Sequence, residues 1–182
     1  MLGCGSGSGS VSGSVWETVW SQALDVDSPT WNGNTLRQYL DDGLYSVSGS
    51  GFRLTLQSGS GAEGAKISSI YAGHAASTNP VDDFDGTQVP LTVGGLSAFT
   101  IPANSSVVTD NVFYAFDAAK SFLVAAHFDD AANDTIRGKN AIANVQNHFK
   151  AGAADTSGDT GTGYTTQATT LRLVTALEVL TP

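Results

Sequence analysis

The chain has 182 residues, with 8 basic and 17 acidic side chains and a formal net charge of -9. This length fits one domain with a core that needs no disulfide, and the single cysteine, Cys4, excludes an intrachain bridge. So few cations argue against binding to nucleic acid or to an anionic membrane surface, and no apolar run approaches the roughly 20 residues of a membrane-spanning helix.

The N-terminal segment is almost entirely Gly and Ser over residues 3–14, a composition typical of flexible linkers. We therefore divide the chain into an arm, residues 1–14, and a single β-sandwich domain, residues 15–182. An ordered arm needs a surface to lie against, on its own domain or on a neighbouring subunit, and both alternatives stay open. Met1 to Cys4 lacks the charged and apolar regions of a secretory signal, so we expect synthesis in a host cytoplasm.

The segment that follows the arm carries Trp16 and Trp20 beside Val15 and Val19. The spacing of four suits a helical turn, while the alternation through Thr18 suits a strand. The β-branched residues favour the strand, and we expect both tryptophans to pack in the core or between sheets.

Period-two patterning then dominates the chain. Residues 35–40 fit a helical turn or a short strand, and strand-like runs follow at 44–48, 52–58, 65–72, 87–93, 97–101, 106–116, 121–128, 144–150 and 169–180. Residues 131–144 are a longer excursion with room for one helical turn, and residues 151–168 are a polar loop. Many short strands separated by turn residues predict an all-β fold, a jelly-roll-like antiparallel β-sandwich. The strand at Phe122–Phe128 is apolar on both faces, which predicts a central, doubly covered strand.

The residues that carry chemistry form no recognisable catalytic or metal-binding motif. Asp82–Asp83–Phe84–Asp85–Gly86 is the densest acidic patch, a solvated loop or a calcium ligand set, but its spacing does not match an EF-hand. His74, His127 and His148 follow no metal-ligand spacing, and no serine lies in a nucleophile elbow. The sequence predicts no catalytic residue, no metal, no cofactor and no enzymatic activity.

Three aromatic residues are candidates for stacking on sugar rings, Trp31, Tyr71 and Tyr164. Such rings present an apolar face to the C–H groups of a saccharide. Trp31 follows Pro29–Thr30 and precedes Asn32–Gly33, which is turn chemistry, so we expect it to be the most exposed of the three.

A series of short segments resembles the β-sandwich accessory domain of SGNH (GDSL-like) esterases and lipases. The matching segments are Trp16 and Trp20, Thr35–Gln38, Phe52–Leu56, Leu91–Gly95, Phe99–Ala103, Val107–Asp110, Phe122–Ala126 and Val174–Val179. The resemblance implies the sandwich fold over about residues 16–180. The family's catalytic domain begins with a Gly-Asp-Ser motif, whereas Gly158–Asp159–Thr160 carries threonine in place of serine within a polar loop. No catalytic residue is carried over, and the expected role shifts from chemistry to attachment.

Two functions follow from these patterns. The first is a structural or interaction protein of a large assembly, most plausibly a bacteriophage virion, as a capsid decoration, head fibre, collar or tail component. Its partners would be other virion proteins, reached through the N-terminal arm, in a homo-oligomer or a hetero-assembly. The alternative is a carbohydrate-binding module that attaches to glycans or a host surface.

Overall fold

The computed structural model of the chain describes residues 13–28, 31–76, 83–128, 135–152, 157–158 and 163–182. Several predictions lie outside these residues. They concern the arm up to residue 12 with Cys4, the carboxylate of Asp82, residues 131–134 and much of the 151–168 loop.

The described residues form an all-β antiparallel sandwich, which confirms the predicted fold class. The strands are β1 (Val15–Ser21), β2 (Val26–Ser28), β3 (Asn34–Leu40), β4 (Gly49–Gln57), β5 (Ala65–His74), β6 (Val89–Pro90), β7 (Phe99–Ile101), β8 (Ser106–Val108), β9 (Val112–Phe116), β10 (Phe122–Phe128), β11 (Ile136–Asn140), β12 (Val145–Ala151), β13 (Thr165–Ala168), β14 (Thr170–Arg172) and β15 (Val174–Thr181). One 3-10 turn, Asp42–Leu44, follows β3. No helix in the described ranges has the length and apolar character needed to cross a membrane.

The strands form three antiparallel sheets. A five-stranded sheet has the order β1-β15-β4-β8, with β9 also paired to β4. A seven-stranded sheet has the order β13-β12-β3-β10-β5-β6, with β7 also paired to β5. A short third sheet, β14-β11-β2, lies beside them. Strand β1 from the start of the chain pairs with β15 from its end, with a bulge between Thr18 and Trp20.

The core lies between the five-stranded and the seven-stranded sheets. Phe52, Leu54 and Leu56 on β4 are fully buried, while the residues between them are half-exposed, as the alternation predicts. The ring centres of Phe52 and Phe122 are 5.0 Å apart in an edge-to-face contact that joins the two sheets.

Strand β10 is the most buried strand of the seven-stranded sheet, and all seven of its residues are buried, which confirms the prediction of a central strand. Its even-numbered residues face the core between the sheets. Its odd-numbered residues face outward, where Leu123 and Ala125 pack with Phe84 and Ala75 in a second apolar cluster. The outer face of this sheet is therefore covered as well.

The predicted strand over 44–48 is wrong. The Asp41 carboxylate accepts a hydrogen bond from the Gly43 amide at 3.0 Å, which favours the 3-10 turn over an extended start. Tyr45 is then buried, and its hydroxyl donates to the Lys120 carbonyl oxygen at 2.9 Å. The apolar residue that suggested a strand is thus an anchor into the core and pairs with no neighbouring strand.

Two other long predictions also change. The run at 106–116 divides into β8 and β9, because Thr109 between them uses its own backbone N–H and hydroxyl to bond both backbone groups of Leu54. The excursion at 131–144 contains a strand, β11, whose Ile136 is fully buried. Its pairing with β2 and β14 joins segments 30 or more residues away, so local sequence could not indicate it.

Candidate functional site

Trp31 lies in the core, and the expectation that it is exposed is wrong. Its side chain is 8% exposed, and its ring packs 5.9 Å from Phe128 and 6.2 Å from Phe149 between ring centres. The indole N–H donates to Ser28 Oγ at 3.0 Å. The turn through Gly33 reverses the backbone, but the direction of the indole is set by the apolar space beside β10 and β12.

Tyr71 and Tyr164 lie together on the outer face of the seven-stranded sheet, apart from Trp31. Tyr71 is half-buried on β5 beneath Gly158, where an added Cβ would lie 3.1 Å from the phenol ring. The Tyr164 ring centre is 4.7 Å from the guanidinium carbon of Arg37. Glycan stacking by these residues stays a prediction, and the structure does not bring the three aromatic residues into one site.

Arg37 is the residue on which this outer face is organised. It is completely buried on β3, between the rings of Tyr164 and Phe84, with its guanidinium 5.2 Å from the Phe84 ring centre and 3.7 Å from the Asp83 carboxylate. Sequence reasoning did not single out Arg37. The sequence signal for Arg37 was its position between Leu36 and Gln38 in an alternating strand, which places its side chain on the opposite face from theirs. That face proved to be covered as well.

In the acidic patch at residues 82–86, the two described carboxylates pair with different cationic side chains. Asp83 faces Arg37, whereas Asp85 forms an ion pair with Lys120 at 3.2 Å. Among the described residues, no group of three or more His, Cys, Asp or Glu side chains has a geometry that would hold a metal ion.

The three histidines are packed side chains with hydroxyl partners. His127 Nδ1 lies 2.9 Å from Thr35 Oγ1, and His148 Nδ1 lies 3.0 Å from Thr166 Oγ1, both on the outer face of the seven-stranded sheet. His74 lies at the other face of that sheet, beside the rings of Phe122 and Phe116.

His74 begins a chain of hydrogen bonds that runs to the surface. Its Nε2 accepts from the Asp117 amide at 3.1 Å, so the neutral ring carries its proton on Nδ1 and donates to the Tyr114 hydroxyl at 3.0 Å. Tyr114 in turn lies 2.6 Å from Thr87 Oγ1, which donates to the Asp85 carboxylate at 2.5 Å. Burial lowers the pKa of His74 and raises the pKa of Tyr114, so both side chains are neutral at pH 7.

Asp85 ends this chain at the wall of a pocket with a cavity volume of about 430 Å³. Burial opposes ionisation of Asp85, but hydrogen bonds from Thr87 and Lys120 prevail and lower the pKa of the carboxyl. The pocket lies where β3, β5 and β10 meet at one end of the seven-stranded sheet. Its lining residues are Tyr39, Asp41, Asp42, Ala75, Ala76, Asp85, Ala119, Lys120 and Ser121.

A second surface lies on the outer face of the five-stranded sheet. Trp16 on β1 is opposite Leu180 on β15, and Phe113 on β9 is opposite Gly51 on β4. A Cβ placed on Gly51 would lie 3.6 Å from Leu180 Cβ, so these four residues form one row across four strands. We call Trp16, Leu180, Gly51 and Phe113 the aromatic row.

Polar residues hold the aromatic row in place at its Trp16 end. The Arg53 guanidinium lies 4.8 Å from the Trp16 ring centre and makes two hydrogen bonds to the Glu178 carboxylate, at 2.8 and 2.9 Å. At the other end Phe113 is 85% exposed. Neither the polar contacts of Trp16 nor the alignment of Phe113 with the aromatic row could be recognised before the pairing of β1, β15, β4 and β9 was known.

No protein-family model matches the chain, and no curated protein sequence matches it.

Proposed function

We propose that this chain is a non-enzymatic structural or interaction protein of a large assembly, with a bacteriophage virion as its setting. Attachment occurs through the outer face and the edge of the five-stranded sheet. The observation that carries the proposal is the 85% exposure of Phe113 at the end of the aromatic row. A large aromatic ring exposed to water on the face of a sheet is typical of an interface residue.

The face supports the proposal because it carries a further exposed apolar residue besides those of the aromatic row. Val108 on the neighbouring strand β8 is also exposed, and it lies opposite Thr55 on the same side of the sheet as Phe113. The only described charges in the middle of this face, Arg53 and Glu178, satisfy each other. A partner surface can therefore cover the face without leaving a buried charge unpaired.

The edge supports the proposal because β1 pairs only with β15 among the described strands. Its seven residues include one charge, Glu17, and neither lysine nor proline, the residues that usually protect an exposed edge. Val15 at its start is 59% exposed and follows the Gly/Ser arm directly. A neighbouring subunit can add a strand here through main-chain hydrogen bonds.

The occupant we propose is a neighbouring protein subunit of the assembly. The net charge of -9 favours a neutral or basic partner over a second copy of this acidic chain. A β-strand of the partner would lie along β1, and an apolar surface would cover the aromatic row.

The test is incorporation into the particle. Purified particles should contain the chain at a fixed ratio to a major shell protein, measured by quantitative mass spectrometry. Phe113→Ser should reduce that ratio at least tenfold while the thermal unfolding midpoint stays unchanged. Val26→Ser is the matched control, because Val26 is also exposed, at 40%, but lies on β2 of the third sheet.

Deletion of residues 1–14 tests the contribution of the arm in the same assay. Loss of incorporation with an unchanged unfolding midpoint supports an arm that engages the neighbour. Normal incorporation of both the deletion and Phe113→Ser would overturn the proposed mode of attachment. A chain recovered only as a free monomer, and never with particles, would overturn the assembly role itself.

A further inference from the structure

We propose that the pocket at the end of the seven-stranded sheet binds a single saccharide unit. The proposal concerns a different part of the molecule from the aromatic row and does not depend on the assembly role. Its cavity volume of about 430 Å³ lies within the range of about 300–1,000 Å³ found for small-molecule sites.

The walls of the pocket divide into an apolar and a polar side. Ala75, Ala76 and Ala119 supply small apolar surfaces, and Tyr39 supplies an aromatic one. The remaining lining residues are polar or charged. A pyranose ring has the same division, because its C–H groups and its hydroxyls project from different sides of the ring.

The hydroxyl of Ser121 is the key donor. Ser121 Oγ accepts hydrogen bonds from the Tyr39 hydroxyl at 2.8 Å and from the Asp42 amide at 3.2 Å. With both lone pairs in use, its own proton is left to donate to a ligand. The Tyr39 oxygen, having donated its proton, is left as an acceptor.

The carboxylates supply further acceptors. Asp41 uses one oxygen to accept from the Gly43 amide, and the exposed Asp42 carboxylate has no hydrogen-bond partner among the described residues. Lys120, ion-paired to Asp85 through one N–H, has two further donors. Donors and acceptors thus line one cavity together, which suits hydroxyl groups because each of them donates and accepts at once.

Other ligand classes fit this pocket less well. Three carboxylates against one ammonium repel an anion. The described side chains contain no metal-binding group of three or more His, Cys, Asp or Glu. A linear polyamine would satisfy Asp41 and Asp42 but would leave the Ser121 donor and the Lys120 donors without acceptors.

The wall formed by Asp85 is rigid before any ligand arrives. Its carboxylate accepts from the Thr87 amide at 3.0 Å and from the Thr87 hydroxyl, and it is paired with Lys120 on the other side. The hydrogen-bond chain to Tyr114 and His74 anchors this wall in the core. Such preorganisation reduces the entropy lost on binding.

The experiment is saturation-transfer difference NMR on the full chain. The probes are glucose, galactose, mannose, rhamnose, N-acetylglucosamine and glucosamine, each tested at millimolar concentration, with spermidine as the polyamine probe. At least one sugar should receive saturation on the protons of one ring face. Asp42→Asn should weaken its binding at least fivefold in a titration.

A blocking variant and its matched control separate loss of the pocket from loss of the fold. Ala119→Trp places a large ring in the pocket from an exposed turn, and it should abolish the signal. Ala62→Trp makes the same change in an exposed turn before β5, whereas the pocket lies after the other end of that strand. Ala62→Trp should bind as the unaltered chain does.

The proposal is overturned if none of the six sugars binds, or if spermidine alone binds. It is also overturned if a sugar binds equally well to Ala119→Trp, since the sugar would then occupy another site. None of these outcomes bears on incorporation into particles, so this proposal and the assembly role can fail separately.

Discussion

The guanidinium of Arg37 lies 4.7 Å from the centre of the Tyr164 ring, although the two residues belong to a sheet strand and a distant loop. The same guanidinium faces the Phe84 ring and the Asp83 carboxylate from the loop after β5. One buried side chain therefore holds two separate loop segments against the outer face of the seven-stranded sheet.

We expect Arg37→Met to lower the free energy of unfolding by about 3 kcal/mol, because a buried charged group is removed from partners arranged around it. Urea denaturation measures the change, and proteinase K should cut faster within residues 83–88. Arg53→Met is the matched control. Its ion pair with Glu178 is partly exposed, so it should change the free energy by about 1 kcal/mol or less. Equal effects of the two variants would contradict the role assigned to Arg37.

Stability should depend on pH through His74. Burial lowers the pKa of His74, while Asp85 and Asp117 raise it and Lys120 lowers it further. A lowered pKa means that the unfolded chain takes up the proton first. The contribution of neutral His74 is therefore complete above pH 6.5, the ordinary value, and is lost as the pH falls below it toward the folded-state pKa.

Thermal unfolding midpoints between pH 5 and 8 measure this dependence. His74→Gln should flatten the profile in that window, because Gln does not titrate, whereas His127→Gln should leave the His74 contribution in place.

Asp25, Asp27, Asp85 and Asp110 all have lowered pKa values. Their contributions are lost only below the ordinary carboxyl range, near pH 4, so they do not overlap with His74. An unchanged slope in His74→Gln would refute the assignment.

Gln38 should be one of the most sensitive polar positions. It is fully buried, its Nε2 donates to the Gln146 carbonyl at 2.8 Å, and its Oε1 accepts from the Arg172 amide at 2.6 Å. Gln38→Leu keeps the volume but leaves those two backbone groups unsatisfied, which should cost about 3 kcal/mol.

Chemical denaturation checks this expectation, with Gln57→Leu as the control. Gln57 lies at the end of β4 with a half-exposed side chain, so its replacement should stay within about 0.5 kcal/mol. If Gln38→Leu were as stable as the original chain, the link between the seven-stranded sheet and β14 would not depend on this side chain.

Gly51→Ala should disturb the pairing of β4 with β9. A Cβ at Gly51 would lie 2.6 Å from the Val112 carbonyl oxygen, so β9 would have to move away. We expect a loss of about 2 kcal/mol, as for other overpacked sites, and an altered chemical shift for the Phe113 ring protons. Gly13→Ala is the control, since a Cβ there meets nothing within 4 Å. No change at Phe113 would show that β9 tolerates the extra methyl group.

The hydrophobic pattern of the sequence located a strand correctly where the strands on both of its sides belong to the same sandwich. The alternation of Phe52, Leu54 and Leu56 with polar residues located β4 and its buried face. The continuous apolar run at Phe122–Phe128 located the central strand. The predictions of an exposed Trp31 and of a strand over 44–48 were wrong, because turn residues and isolated aromatic residues do not reveal which way a side chain points.

The amino-acid sequence by itself determined the all-β class, most strand positions and the absence of a recognisable catalytic motif. Hydrophobic periodicity and turn chemistry are local properties, and they are written in consecutive residues. Only the tertiary structure decided where the candidate sites lie. The aromatic row joins Trp16 to Phe113 through strands from both ends of the chain, and the pocket joins Tyr39 to Ser121. Contacts between residues so far apart depend on strand pairing and register, which no short stretch of sequence encodes.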